Sequence, residues 1–505
     1  MSLVTPIDSP ASVKRVSSFG PPAGAGSDPV ASAVGRARAA QPEWAAATLA
    51  GRLAVLRRWR GRLAAAGPRL ARISALGRQR PPLESLTAEV FPLAEAGRFL
   101  ETNARRLLAP RRLGRRGRPA WLIGVHSELH REPLGVVLVI SPWNYPLLLP
   151  GVPILQALAA GNAVLIKPAP GTSEALAALV EVWHQAGLPA GLLSLLPEDP
   201  ASVSAALDAG VDKVIFTGSA GAGQQILAAA ARHLVPVTLE LGGCDAALVR
   251  ADANLDLAAR ALVFGLSLNR GATCMAPRRV FLARSIALEL ESRLAALLQA
   301  TPSHSLPPVL SNRLRPLLAE AVAGGARWVS GRVDGSGQVV APVVLGAVDP
   351  ALAVAREDLF APLLVLVSVD SDEEAIRRIN DCDYGLGASV FTANEAAGRR
   401  LAARLQTGFV TINDVILPTA DPRVPFGGRK RSGFGLTRGG EGLLEMTSVR
   451  RVSVTRGSFR PAFAPARAGD AELFRWYLQW VHGSGVRQRG RAMVELMRCV
   501  VRRKG

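Results

Sequence analysis

The chain is poor in the residues that most often announce a chemistry. Its 505 residues include four cysteines, at 244, 274, 382 and 499, with no CxxC pairing and no metal-ligand spacing. That excludes a disulfide scaffold, and a reducing cytoplasm is the expected compartment. Six histidines form no HExxH motif, so no metal site is expected. No run of about 18 or more uncharged apolar residues appears, so no spanning helix is predicted. The N-terminal "MSLVTPIDSPASVKRVSSFG" lacks the basic-then-apolar order of a signal peptide and reads as part of a flexible leader, residues 1–28. Positive charge, by contrast, is in excess. The formal net charge is +20, carried almost wholly by arginine and concentrated in "RRLLAPRRLGRRGRP" and "RQRGRAMVELMRCVVRRKG". Such charge suits an anionic partner or simply coats the surface. Without an RRM signature, zinc finger or helix-turn-helix, no specific nucleic-acid partner is expected.

Length and an apolar share of 49% predict a globular protein of several domains with ample core. Residues about 29 to 110 carry apolar residues at three- and four-residue spacing and read as helices. From Glu132 the pattern changes. "PLGVVLVISPW", "NAVLIKPAP", "LLSLLP" and "DKVIFTG" read as buried strands, separated by "ILQALAAG", "SEALAALVEVWHQAG" and "ASVSAALDAG" as helices. This alternation predicts a doubly wound parallel sheet. A second alternating region follows. It contains "VTLELGG", "DAALV", "VVAPVVLG", "PLLVLVSV", "GLGASVFT" and "GFVTIND" as strands, with helices over Leu255 to Leu268 and Ser285 to Gln299. After a Pro/Gly/Ala-rich stretch, the tail from Asp470 reads as two helical pieces broken at "HGSG".

Five short stretches could carry chemistry. Cys274 stands in "RGATCMAPRR", in a turn of small residues after a helix; its plain reading is a buried structural thiol. Glu240 lies thirty-four residues upstream in "TLELGG". A glutamate between two leucines at a buried strand end is costly without a purpose, and Gly242 and Gly243 let other groups approach. A thiol and a carboxylate base are the parts of covalent catalysis followed by hydrolysis. "FTGSAGAG" puts a Gly/Ser turn at a helix N-terminus, a phosphate site by geometry or simply a tight turn. Asn144 in "SPWNYP" and Lys167 in "LIKPAP" both sit at the C-terminal ends of buried strands, where open α/β sheets bind ligands. Otherwise Asn144 is a turn residue and Lys167 a solvated strand end.

In order and spacing, these stretches resemble the aldehyde dehydrogenase superfamily over roughly residues 30 to 455. The resemblance is carried by "SPWNYP", "AAGNAVLIKPAP", "VIFTGS", "TLELGG", "GATCMAP", "EDLFAP", "YGLGASVF" and "PFGGRKRSGFG". It implies an α/β fold: a Rossmann-type cofactor domain (29–112 and 132–241), a catalytic α/β domain (242–430) and a small β bridging element (113–131 and 445–456) that joins subunits into a homodimer or homotetramer. A basic extension follows over 457–505. It implies that Cys274 attacks an aldehyde, that Asn144 and the Cys274 N–H hold the oxyanion, and that Glu240 activates the hydrolytic water. NAD or NADP would accept the hydride, NAD slightly favoured. Lys167, Trp143, Ser219 and Gly218 would hold or admit the dinucleotide, with Asp358 and Phe360 at the nicotinamide end. Two departures stand out. Asp358 replaces the usual glutamate, and Pro170 stands where NAD-preferring members often place a glutamate.

Tyr145, Leu149, Thr273 and Met275, with Val152, Ile416 and Leu417, are expected to line the aldehyde tunnel. They are mostly apolar and include no arginine or lysine, which favours an apolar aliphatic or aromatic aldehyde. Glu240 argues against a CoA-acylating relative. Retention of Cys274, Glu240, Asn144 and Lys167 together argues against a silent binding protein. The aromatic and basic amphipathic tail raises peripheral contact with an anionic membrane, against a tail that packs on its own subunit or a neighbour.

Overall fold

The computed structural model describes residues 28–458, 463 and 465–502. The leader therefore lies outside the described residues except for Asp28, whose carboxylate accepts from the Val30 N–H and caps the first helix, Pro29–Ala46. The helix Leu49–Leu76 follows, capped by Thr48. It packs on the helix Ser173–Gln185 through Trp59 and Trp183, stacked at 4.6 Å.

The alternating region forms a six-stranded sheet. Across it the order is Leu193–Leu195, Ala163–Lys167, Val136–Ile140, Lys213–Gly218, Val237–Leu241 and Gly433–Phe434. The first five are parallel and the last is antiparallel. The chain begins in the middle, at 136–140, builds one side, then returns to build the other. This reversal opens a crevice between strands 136–140 and 213–218, where doubly wound sheets bind ligands. Strand 136–140 delivers Trp143 and Asn144 to that end, and strand 213–218 delivers Gly218 and Ser219.

A second, eight-stranded sheet has the parallel core Val339–Gly346, Leu363–Val369, Pro277–Ala283, Asp245–Val249, Gly387–Phe391 and Phe409–Ile412. Its strand Pro277–Ala283 lies in the middle and was not legible as a strand, because Arg278 and Arg279 interrupt the apolar run. Both arginines are buried.

Two compact units divide the chain. One comprises Met1–Pro110 and His130–Arg450; the other comprises Arg111–Leu129 and Arg451–Gly505. The strand Thr447–Thr455 is an edge of a three-stranded sheet and is exposed along most of its length. The second unit contains the helices Asp470–His482 and Val486–Arg502. Among the described residues no helix is long and apolar enough to cross a membrane.

Candidate active site

Cys274 is presented by an unusual turn. After the helix Leu255–Ser267, three successive residues adopt positive φ: Asn269 at 49°, Arg270 at 52° and Gly271 at 75°. For the two that are not glycine this costs about 1–3 kcal/mol each, so neighbours must hold the turn. They do. The Asn269 N–H donates to Glu84 Oε1 at 2.7 Å, and its Nδ2 donates to the carbonyls of Asn144 (3.2 Å) and Ala272 (3.1 Å). Arg278, buried, donates to the Gly271 and Thr273 carbonyls at 2.6 and 3.2 Å. Gly271 has no substitute, since a Cβ there would lie 2.3 Å from the Pro362 nitrogen. Gly243 packs as closely from the other side: its Cβ would lie 2.8 Å from the Cys274 carbonyl oxygen. Cys274 emerges half-buried.

Asn144 meets this turn directly. Its side-chain Nδ2 donates to the Ala272 carbonyl at 3.1 Å, leaving one amide hydrogen. A buried ion pair supports it from behind. Arg80 and Glu89 have fully buried side chains in contact. Arg80 also donates to the Asn144 carbonyl at 3.3 Å and lies over the Tyr145 ring at 5.1 Å. Glu89 accepts from the Leu147 and Leu148 N–H groups at 2.7 and 3.4 Å. The pair thus fixes the 143–148 turn to the helices beneath it.

Glu240 lies on strand 237–241, buried, beside Thr217 of the next strand. The Thr437 hydroxyl donates to its carboxylate. Burial raises its pKa above the usual carboxylate range; the Thr437 hydrogen bond, the Arg438 charge and Thr217 oppose that rise. The same surroundings act on the thiol. Burial first, then the Asp245, Glu240 and Asp358 carboxylates, push Cys274 up to about 12, while Arg438 pulls the other way. Glu240, Cys274 and Arg438 therefore form one electrostatic group. The resting thiol is neutral. Arg438 and Thr437 were not singled out in the sequence. The argument that drew attention to Glu240, a charge among apolar residues, applies to Arg438 as well, at the end of "SGFGLTR".

The residues expected to hold a dinucleotide line the crevice and its neighbourhood. Trp143 is exposed, with Arg78 donating to its carbonyl at 2.8 Å and lying 5.9 Å from its ring. Lys167 is buried, not a solvated strand end; desolvation lowers its pKa, and Glu198 and Asp199 oppose the shift. Ser219 caps the helix Ala220–Ala231, its Oγ accepting from the Ala222 N–H at 3.3 Å. Gly218 has no room for a side chain, because a Cβ would strike the Phe216 ring at 2.4 Å. The Asp358 carboxylate sits against bare Gly242, where a Cβ would lie 1.8 Å from Oδ2. Its Oδ1 is buried without a partner, an acceptor that a ribose hydroxyl would satisfy. Phe360 follows at a positive φ of 47°. This donor and acceptor set fits a dinucleotide. Among the described residues no cluster could hold a metal ion.

The residues expected along the aldehyde tunnel are largely buried and engaged with one another and with their neighbours. Tyr145 and Thr273 are buried and spend their hydroxyls on each other at 2.7 Å. Leu149 is buried, and half-buried Met275 accepts from the Thr419 hydroxyl at 3.3 Å. None of these four lines the small apolar cleft that Val152 does line, which has about 20 Å³ of room for water-sized molecules. Its walls are chiefly Pro92, Ala96, Phe99, Leu100 and Leu148, with Gln156 and Arg438 as polar members. Arg438 is committed, however. It donates to the Thr419 carbonyl, lies 4.7 Å from the Phe426 ring and offsets the Glu240 charge. The helix Phe91–Leu107 contributes Ala96, Phe99 and Leu100, whose helical spacing reads in the sequence only as core.

Comparison with known proteins gives the family. A family model described as "Aldehyde dehydrogenase family" matches residues 9–452. The chain is 35% identical over 423 residues to the 4,4'-diapolycopene aldehyde oxidase of Methylomonas sp, covering 81% of this chain and 79% of that protein. It is 37% identical over 342 residues to the dimeric NADP-preferring aldehyde dehydrogenase of Rattus norvegicus, covering 65% and 73%. Among solved structures, the NAD-dependent aldehyde dehydrogenase from Sinorhizobium meliloti superposes with a TM-score of 0.79 at 28% identity, covering 86% of this chain and 88% of that one.

Proposed function

The chain belongs to the aldehyde dehydrogenase family, and from that premise we propose that it oxidises an apolar aliphatic or aromatic aldehyde to the carboxylic acid through a thioester on Cys274. The observation that carries the reading is that Asn144 bonds the turn that holds Cys274 while Glu240, from another element, lies near enough to act on the Cys274 thiol electrostatically.

Cys274 Sγ attacks the aldehyde carbon and gives up its proton to solvent water. With its pKa pushed up to about 12 the thiol is almost wholly neutral near pH 8, so attack is coupled to proton removal. Glu240, raised in pKa by burial and electrostatically linked to Cys274, is kept for the hydrolytic step. The second Asn144 amide hydrogen and the Cys274 N–H stabilise the oxyanion; one such donor is worth about 10²–10³ in rate. Bound NAD(P)+ supplies the hydride acceptor. Glu240 then takes a proton from water as it attacks the thioester, and the acid leaves. Lys167, Trp143, Ser219, Asp358 and Phe360 would hold the dinucleotide, with Gly218 admitting it. Glu198 supports a preference for NAD+. Its carboxylate is anchored by the Gly171 and Ser173 N–H groups, both at 3.1 Å, and interacts with Lys167. That puts negative charge near the proposed ribose site although Pro170 offers none.

The apolar lining of the small cleft, Phe99, Leu100, Leu148 and Val152, supports the apolar substrate class, since its one cation is engaged elsewhere. Residues 29–112 and 132–241 serve the cofactor and 242–430 the chemistry in this reading. The exposed edge strand Thr447–Thr455 is the candidate for pairing between subunits, within the 113–131 and 445–456 bridging element. The protein would work in the cytoplasm. The tail helix Val486–Arg502 exposes Met493, Val494, Met497, Val500 and Val501 beside Arg487, Arg491 and Arg498, which suits an anionic membrane surface. Co-sedimentation with anionic vesicles, with and without residues 459–505, tests that contact; equal binding by both forms refutes it.

The test of the reaction is absorbance of reduced nicotinamide, with a panel of apolar aldehydes, NAD+ or NADP+, and Cys274→Ala alongside. Aldehyde-dependent reduction lost in Cys274→Ala is expected. No signal with any pair, with or without CoA, refutes the proposal.

A further inference from the structure

Arg279 is a buried cation that the proposed reaction does not use. It lies on the strand Pro277–Ala283, whose successive side chains point to opposite faces. Arg278 reaches the Cys274 turn, so Arg279 points away from it, with Phe281 on its own face. The helix Asp372–Asn380 covers that face, and its Ile376 and Ile379 cluster with Phe281. Only 5% of Arg279 is exposed. Two contacts fix its guanidinium. Nε donates to the Cys244 carbonyl at 3.1 Å, and the group lies 5.5 Å from the centre of the Phe281 ring. Its two Nη groups make no hydrogen bond or ion pair with any of the described residues. A buried charge left unpaired in this way is costly. Arg279 lines a cavity with about 130 Å³ of room for water-sized molecules. The other two cations of the wall are engaged. Arg356 donates through both Nη groups to Asp381, at its Oδ2 and its carbonyl, each at 2.9 Å. Arg378 donates to Glu374 at 2.8 Å. Asp349 also lines the cavity; its Oδ1 accepts from the Ala351 N–H at 2.8 Å, and it pairs with no cation among the described residues.

The geometry points to a binding site for a small carboxylate on the Nη groups of Arg279, in the cavity walled by Arg356 and Arg378. The N–H groups of a guanidinium form a planar fork that matches the two oxygens of one carboxylate through parallel hydrogen bonds. Arg279 is held at Nε and against Phe281, so it offers that fork already oriented and binding has little left to order. Charge selects the class of anion. Arg356 is matched by Asp381 and Arg378 by Glu374, which leaves one unmatched guanidinium. A singly charged, planar anion balances it. A phosphate dianion would bring a second negative charge towards Asp349 and Asp381, which line the same cavity. Chloride has no pair of acceptor atoms to meet the fork. The ligand would lie on the other side of the strand Pro277–Ala283 from Arg278 and the turn that Arg278 holds, so it is separate from the aldehyde.

The experiment titrates sodium acetate, at constant ionic strength, into the full-length protein with Cys274 alkylated to block the aldehyde site, and follows the acetate methyl resonance. Saturable binding at one site per chain is expected. Formate should displace acetate, while chloride and inorganic phosphate should do so about tenfold less well. Arg279→Lys keeps the charge but loses the fork, and should weaken binding about tenfold or more. Asp349→Asn keeps an oxygen for the Ala351 N–H, removes an opposing charge and should tighten binding severalfold. It leaves Arg279 untouched, so it carries the test if Arg279→Lys lowers the melting temperature. No saturable binding, unchanged affinity in a folded Arg279→Lys protein, no gain in Asp349→Asn, or tighter binding of phosphate than of acetate each overturns the inference. None of these signals needs aldehyde or nicotinamide, so failure here is distinct from failure of the dehydrogenase reading.

Discussion

Gly243→Ala is the sharpest perturbation the structure offers. The added Cβ would stand 2.8 Å from the Cys274 carbonyl oxygen, 2.8 Å from Asp245 Oδ1 and 3.0 Å from Leu386 Cβ. Ordinary contact begins near 3.4 Å, so the Cys274 backbone must retreat by roughly 0.6 Å. Asp245 cannot easily yield, because its Oδ1 accepts from the Gly387 N–H at 3.0 Å. Overpacking of this kind costs about 1–3 kcal/mol of stability, which a protein of this size survives. A misplacement of about 1 Å can cost ~10²-fold in rate, so a shift of about half that predicts a roughly tenfold or greater fall in kcat. Two further variants sharpen the test. Gly242→Ala would strike only the Asp358 side chain, which can swing away, so it should raise the cofactor KM more than it lowers kcat. Gly61→Ala, exposed on the helix Leu49–Leu76, meets nothing within 4 Å and should leave both unchanged. Steady-state kinetics on the three variants, with melting curves as the folding check, decides the matter. Full kcat in a folded Gly243→Ala protein would refute the claim that this contact sets the nucleophile.

Other outcomes follow from the same physics. With the Cys274 thiol at about 12, its alkylation by iodoacetamide in the cofactor-free protein should rise about tenfold per pH unit from 7 to 10, read at the Cys274 peptide; a plateau below pH 8 would contradict the electrostatic account. Glu89→Gln leaves Arg80 buried without its partner and should cost about 3–5 kcal/mol in denaturant unfolding. The double change Arg80→Met with Glu89→Met should cost less, and a larger loss in the double variant would count against the ion-pair reading. Glu198→Gln should raise kcat/KM for NADP+ severalfold relative to NAD+, since hydrogen bonds hold its carboxylate below the usual range and keep it charged; an unchanged ratio would remove Glu198 from cofactor choice.

The sequence displayed the parallel sheets because fully buried strands such as Val136–Ile140 and Asp245–Val249 are unbroken apolar runs. Glu240 was legible for the complementary reason, a carboxylate where only apolar residues belong. Arginine misled on both counts. Arg278 and Arg279 hid the strand Pro277–Ala283, and Arg80, Arg278 and Arg438 read as surface residues while holding the site from within. Long side chains that reach main-chain carbonyls across the fold leave no local pattern. Pairings between distant segments were hidden for a related reason: the Thr273 hydroxyl meets that of Tyr145, and the small apolar cleft is lined by a helix almost two hundred residues upstream of Cys274.

The most direct test of the central claim uses Glu240→Gln, mixed with an apolar aldehyde and the preferred cofactor and followed by intact and peptide mass spectrometry. The account predicts about one equivalent of reduced nicotinamide, stalled turnover, and an acyl group on Cys274. Sustained turnover with no acyl group on Cys274, or an acyl group on another residue, would contradict it.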